Sequence, residues 1–369
     1  MSIGKVQINN LNLSQGEITA VENHLLFVGP GKGDKVGKLL TVNTDSDLSG
    51  VLAGADGLLA QVTAARDNGG QNWSASVMLY DAEGGGIASW SDAVDEAMEL
   101  AKVEGVVLTE PLSAVSDIEA MQAKSERIMA KYMRPVWFAG RAPAFDADSQ
   151  SWEEYATAIK PLTADVAADA CLVTPTIWGP ELGTLMGRLC NAAVTVADSP
   201  MRVATGALVG AWTERPEDKA GRRLDMSVLE SLDKARFSVP QWYPDYEGMY
   251  WADGNVLDVN GGDFQVIENV RVIMKAMRRV YPLAVARIAD RRFNSTPASV
   301  AQNKTYFMRP LREMSRSVTI LGQTFPGEIY PPEDGDITVS WPSRTSVELY
   351  MAVRPYNCPK KITCNLFLD

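Results

Sequence analysis

The chain has 369 residues, 46% of them apolar and 22% charged, with a formal net charge of −11. That length supports one large domain or two ordinary ones, and the acidic balance argues against general binding to DNA, RNA or anionic lipid, which needs basic surface against phosphate. One histidine and four scattered cysteines, Cys171, Cys190, Cys358 and Cys364, leave no imidazole-pair metal site and no disulfide framework, so the thiols are expected to be reduced, in a chain made in cytoplasm.

The first twenty residues, MSIGKVQINNLNLSQGEITA, lack the apolar core of a secretory signal, and no run of about 20 uncharged apolar residues follows that would span a membrane. Residues 3 to 9 alternate weakly, with Val6 and Ile8 on one face, and predict a short strand ahead of the first domain. Residues 24 to 42, HLLFVGPGKGDKVGKLLTV, look like a phosphate-binding loop but fail its requirements. After Gly37-Lys38 comes Leu39 where a metal-binding hydroxyl is needed, and the position five before Gly37 is Lys32. The dinucleotide spacing fails at Asp34 and again at Val36. The following KLLTV reads as a strand, not as the helix whose N-terminus would hold phosphate, so the loop is expected to join two strands. A helix capped by Thr44, Asp45 or Ser46 should follow. His24 abuts the apolar run 25–28, and with no Gly-x-Ser-x-Gly elbow in the chain it is expected at a strand edge without chemistry.

From residue 75 short apolar runs alternate with amphipathic helices: strands at 76–80, 106–109, 135–140 and near 170, with helices between them and another from about 180 to 196. This is the pattern of parallel strands joined by crossover helices. The charged, turn-rich stretch at 212–225 predicts a boundary or surface loop. DGNVLDVNGGD then invites a calcium reading, but from Asp258 the loop positions carry Gly262, Asp263 and Asn269 where the coordination scheme wants an Asp or Asn, a glycine and a glutamate, so turns are expected.

Residues 264 to 281 form the clearest helix. Val270, Ile273, Met274, Met277 and Tyr281 share one side, opposite Arg271, Lys275, Arg278 and Glu268, and Pro282 is expected to interrupt the pattern. Residues 265 to 316 hold eleven basic and three acidic side chains, a net of +8 within an acidic chain. Such a reversal is either a solvated helical face or a surface for an acidic partner. The last fifty residues turn to β, and in the final run Ile362, Cys364, Leu366 and Leu368 share a face. A strand of that kind either pairs within its own sheet or adds to a neighbouring subunit.

The fold expected from these elements is α/β in its first part and α+β overall. A parallel-type N-terminal half is followed by a domain of helices and antiparallel strands, with extended strands at both ends. The expected divisions are an arm at 1–20, an α/β domain at 21–212, a second domain at 213–350 and a C-terminal arm at 351–369.

Three stretches together resemble the contractile tail sheath proteins of bacteriophages and related contractile injection particles. LLFVGPGKGDKVGKLLTVNTDSDLSGVLAG is similar to that family's opening strand, glycine-lysine loop, second strand and short helix. ENVRVIMKAMRRVYPLAVARIADRRFNSTPASVAQNKTYFMRPLREM resembles the basic helical segment of the sheath C-terminal domain, and SVELYMAVRPYNCPKKITCNLFLD its closing strands. The resemblance covers about a third of the chain and rests on layout more than on strict motifs; it is not carried by the alternating α/β stretch at 75–200, and the chain is short for a sheath.

The resemblance implies a structural subunit without catalysis or cofactor, residing in the virion tail after assembly in the bacterial host cytoplasm. Its partners would be further copies of itself in stacked six-fold rings, the tail tube protein, and baseplate and tail-terminator proteins, with no nucleic acid and no membrane. Val6 and Ile8, and Ile362, Cys364, Leu366 and Leu368, would lie on strands exchanged between subunits, and Arg271, Lys275, Arg278 and Arg279 would face the tube. The alternatives are a soluble α/β enzyme or nucleotide-binding protein using the Gly29–Gly37 loop, and another tail component such as a tube or baseplate protein.

Overall fold

A computed structural model describes residues 21–84, 87–210, 212 and 214–368. The expected N-terminal strand with Val6 and Ile8 lies outside the described residues. The architecture begins with β1 (Leu25–Pro30), β2 (Leu39–Asn43), α1 (Leu48–Val51), α2 (Asp56–Gly69), β3 (Ser74–Tyr80), α3 (Trp90–Leu100) and β4 (Gly105–Pro111). It continues with α4 (Val115–Tyr132), β5 (Trp137–Ala144), α5 (Trp152–Ile159), β6 (Ala168–Thr176), α6 (Glu181–Leu189) and α7 (Met226–Lys234). The hairpin strands β7 (Pro240–Tyr243) and β8 (Tyr246–Trp251) and the short β9 (Val256–Leu257) follow.

One seven-stranded sheet organises this part, in the order β2-β3-β1-β4-β5-β6-β9. The five central strands pair in parallel, starting from Leu25 opposite Ala75 on one side and Gly105 on the other. β2 and β9 close the edges in antiparallel register. Helices cover both faces, which is why the strands read as continuous apolar runs and not as alternation. On one face Leu26, Val28, Val106 and Phe138 meet residues of α3, α4, α5 and α7. On the other, Leu25, Phe27, Val77 and Val107 meet α2 and α6.

The remaining elements are two long helices, α8 (Ile267–Val285) and α9 (Pro297–Met314), and two hairpins, β10 (Val318–Ile320) with β11 (Gln323–Phe325) and β12 (Ile337–Ser340) with β13 (Glu348–Met351). α8 and α9 share a small core of Val272, Ala276, Leu311 and Met314, and a second of Val280, Phe307, Met308 and Ile337.

Four expectations change. Pro282 does not interrupt α8, which continues to Val285. Leu283 and Ala284 in its last turn pack on the second core, and that packing offsets a proline penalty of about 3 kcal/mol. The cap of α1 is Asp47, whose carboxylate accepts from Gly50 N at 3.2 Å, one residue beyond the expected positions. α6 stops at Leu189 and not near 196. The packing does not change at 212: Leu224, Leu229, Leu232, Phe237 and Val239 belong to the α/β core, and Trp251 lies in the core of the other sheet face.

Candidate assembly surface

The glycine loop connects β1 to β2 as a turn, with Gly33 and Gly37 at positive φ (97° and 71°), where a side chain would be strained. His24 precedes β1, its ring nitrogens 3.1 Å from Ser74 Oγ and 3.0 Å from Ser76 Oγ. Burial holds its pKa below the ordinary value, so it sits as a neutral, hydrogen-bonded ring.

Because β1 lies between β3 and β4, the sheet has a switch point at the carboxyl ends of these strands, the usual place for a ligand in such folds. A crevice of about 450 Å³ opens there. It presents Asp56, Asp81, Glu83 and Glu110 against Lys32 and Arg141. Lys32 is engaged by Glu83 at 3.2 Å, and Arg141 Nε donates to Thr109 O at 2.7 Å. The tip of α2 carries Asp56, a negative charge where a phosphate would have to sit. Four carboxylates against two cations leave the crevice net acidic, which disfavours phosphate.

The basic helix is the largest correction. Arg271 is wholly buried. Its Nε donates to Glu104 Oε1 at 2.7 Å, its Nη2 to Glu104 Oε2 at 2.9 Å and Asn23 Oδ1 at 2.8 Å, and its Nη1 to Leu189 O at 2.9 Å. Burial alone would raise the Glu104 carboxyl, but the guanidinium beside it outweighs burial and holds it below the ordinary range. Lys275 pairs with Glu328 at 2.5 Å and Arg278 with Glu22 at 3.1 Å, all four side chains largely shielded. Carboxylates of the same protomer thus match the charge of all three, and Arg271 has no exposed area with which to meet another surface. Arg279 alone of the four has no ion partner among the described residues, and it is partly exposed. The expected apolar side is inverted towards the end of α8, where Met277, Tyr281 and Val285 are exposed. Elsewhere in the basic segment Asp290 serves both Arg287 and Arg292, and Glu313 serves Arg309.

The C-terminal run has the opposite character. After β13 the chain crosses the surface, with Tyr330 N donating to Arg354 O at 2.8 Å and the Tyr330 and Tyr356 rings 4.0 Å apart. Lys360 then enters a pair of carboxylates, Asp253 at 2.6 Å and Glu268 at 2.8 Å. Beyond it residues 361–368 form no strand and make no hydrogen bond with any described residue. All eight are exposed, with Ile362 at 75%, Leu366 at 96% and Leu368 at 103%. The alternative of pairing within its own sheet is not what this segment does among the described residues. Sequence reasoning missed Lys360, whose partners are remote, although Glu268 stood out on the polar side of its helix.

Among the described residues no helix is long and apolar enough to cross a membrane, and no group of three or more acidic, cysteine or histidine side chains could hold a metal ion. Asp258 spends its carboxylate on the turn it starts, accepting from Val259 N at 2.7 Å and Phe264 N at 2.9 Å.

Comparison with known proteins bears on the whole chain. Residues 3–255 match the N-terminal domain of the DUF2586 family and residues 263–369 its C-terminal domain. The chain is 46% identical over 370 residues to a protein of Haemophilus phage HP1 (strain HP1c1) named "Putative tail sheath protein", covering 99% of this chain and 97% of that one. Among solved structures it is similar to the sheath complex of the extracellular contractile injection system PVC in its contracted state, with TM-score 0.63, 11% identity and coverage of 100% and 98% of the two chains. It is also similar to the helical sheath of the anti-feeding prophage in its contracted state, with TM-score 0.60, 13% identity and full coverage of both. At such identities these two likenesses concern the fold.

Proposed function

The chain belongs to the DUF2586 family and is a tail sheath protein, a structural subunit and not an enzyme; from that premise we propose that its copies polymerise as helically stacked six-fold rings around a tail tube. In this reading the terminal arms complete β-sheets in neighbouring copies, so the lattice stays connected while subunits rotate. Contraction then drives the tube through the host envelope, with the energy stored in a metastable lattice. The phosphate-repelling crevice at the sheet's switch point supports a motor that needs no nucleotide.

One observation carries the proposal: residues 361–368 leave both their backbone groups and their apolar side chains without partners among the described residues. Burying a leucine or isoleucine side chain contributes about 1.5–3 kcal/mol, and each main-chain bond about 0.5–1.5 kcal/mol. A neighbour's open sheet edge supplies both. Of the basic face, Arg279 is left to meet an acidic tube surface. A solvated pair of about 0–1 kcal/mol is the releasable contact that a contracting lattice needs. The ends of the polymer would meet baseplate and tail-terminator proteins, with the assembled sheath residing in the virion after formation in the host cytoplasm.

Negative-stain microscopy of the purified full chain over a concentration series tests this. Hollow striated cylinders are expected, and a monodisperse monomer at every concentration would contradict it.

A further inference from the structure

The arm must start somewhere, and the contacts of the chain beyond β13 say where. Ala352 N donates to Asp336 O at 2.8 Å, and Arg354 pairs with Asp336 at 2.7 Å. Lys360 Nζ is the last tether among the described residues: it lies 2.7 Å from Asp253 Oδ1, 2.6 Å from Asp253 Oδ2 and 2.8 Å from Glu268 Oε1. The two carboxylates come from opposite sides of a junction. Asp253 follows β8 in the α/β part, and Glu268 opens α8. Both are shielded, with side chains 17% and 8% exposed, so each depends on the lysine for compensation. Asp233 lies close enough to add its negative field to the same pocket, through Asn255, whose Nδ2 donates to Asp233 Oδ1 at 2.8 Å. Glu268 Oε2 is buried without a partner among the described residues. The pocket therefore gathers three acidic side chains about one lysine, and two of them hold it directly.

We infer that Lys360, seated between Asp253 and Glu268, is the fixed root of the C-terminal arm, so that this arm leaves the protomer only beyond Lys360, from the junction of its two parts. This rests on the strand-donation reading and adds a constraint to it. Nine extended residues span at most about 30 Å, so the accepting sheet edge of the neighbouring copy lies within that distance of Lys360.

The native cysteines on either side of Lys360 give the test, since Cys358 and Cys364 are exposed while Cys171 and Cys190 are buried. A nitroxide on Cys358 in the C364S background should be immobile in the monomer and become mobile in K360M. The triple variant K360M/D253N/E268Q, which also neutralises the two carboxylates that Lys360 pairs with, should show the same release if K360M alone folds poorly. A nitroxide on Cys364 in the C358S background should be mobile in the monomer of every variant. Equal mobility at Cys358 with and without Lys360, or an immobile Cys364 label in the monomer, would overturn the assignment. Strand donation is read separately from the Cys364 label in the polymer. If it stays mobile there, donation fails while the root at Lys360 stands.

Discussion

Nε of Arg271 on α8 donates to Oε1 of Glu104, just ahead of β4, at 2.7 Å, and neither side chain has exposed area. The same guanidinium reaches Asn23 before β1 and the carbonyl of Leu189 at the end of α6. One side chain thus fixes α8 to the N-terminal ends of two central strands. Removing one partner of a buried pair leaves a charge without compensation, and R271M should cost about 3–5 kcal/mol. R271M/E104M, which removes both charges, should recover most of that loss in the urea midpoint. An R271M midpoint equal to the parent would show that the pair does not fix α8.

The same pair sets a pH dependence. Burial pushes the Glu104 carboxyl up and the Arg271 charge pulls it down further, so the native value lies below the ordinary 4.5. The unfolded chain therefore binds the proton more readily than the folded one. The stabilisation is complete above the ordinary value and is lost as pH falls through the native one. The urea midpoint should drop on acidification below about pH 5, and more shallowly in E104Q. Identical slopes for the two proteins would contradict this.

Lys275 and Arg278, two of the four cations expected to face the tube, are ion-paired with Glu328 and Glu22 within the protomer. K275E should lower stability by about 1.5–3 kcal/mol, the worth of a charged hydrogen bond. R279E, with no ion partner to lose among the described residues, should stay within about 0.5 kcal/mol of the parent. If Arg279 meets the tube, R279E also lowers co-sedimentation of the sheath protein with tubes. Thermal melts and a pelleting assay separate the two effects.

α2 and α6 approach so closely that a Cβ on Gly183 would lie 2.0 Å from Gln61 O, and one on Gly187 2.2 Å from Ala65 O. Backbone is on the receiving side in both cases, so neither clash is relieved by a rotamer change. G183A and G187A should each cost about 1–3 kcal/mol through forced separation of the helices, read as a lowered melting temperature.

The sequence made the sheet legible because strands covered on both faces, such as Val106–Val107–Leu108, must be apolar throughout, and the intervening helices carry amphipathic spacing. The basic segment misled for a physical reason. An arginine face has the same spacing whether water or remote carboxylates satisfy it, and here Glu104 and Glu22 lie 167 and 256 positions from their partners. Local spacing cannot see such pairs. Pro282 misled likewise, since tertiary packing at Leu283 and Ala284 overrode a local preference. The alternation of Ile362, Cys364, Leu366 and Leu368 was plain, but the root at Lys360 was not, because Asp253 lies 107 positions away.

The central claim is that the last residues are completed only by another copy. Deleting residues 361–369 and following assembly by sedimentation velocity and microscopy tests it most directly. Lys360 and everything folded before it remain, so the truncated chain should keep the parent's melting temperature and sediment as a monomer under conditions where the full chain forms tubes. Tubes of normal length from the truncated chain would contradict the account.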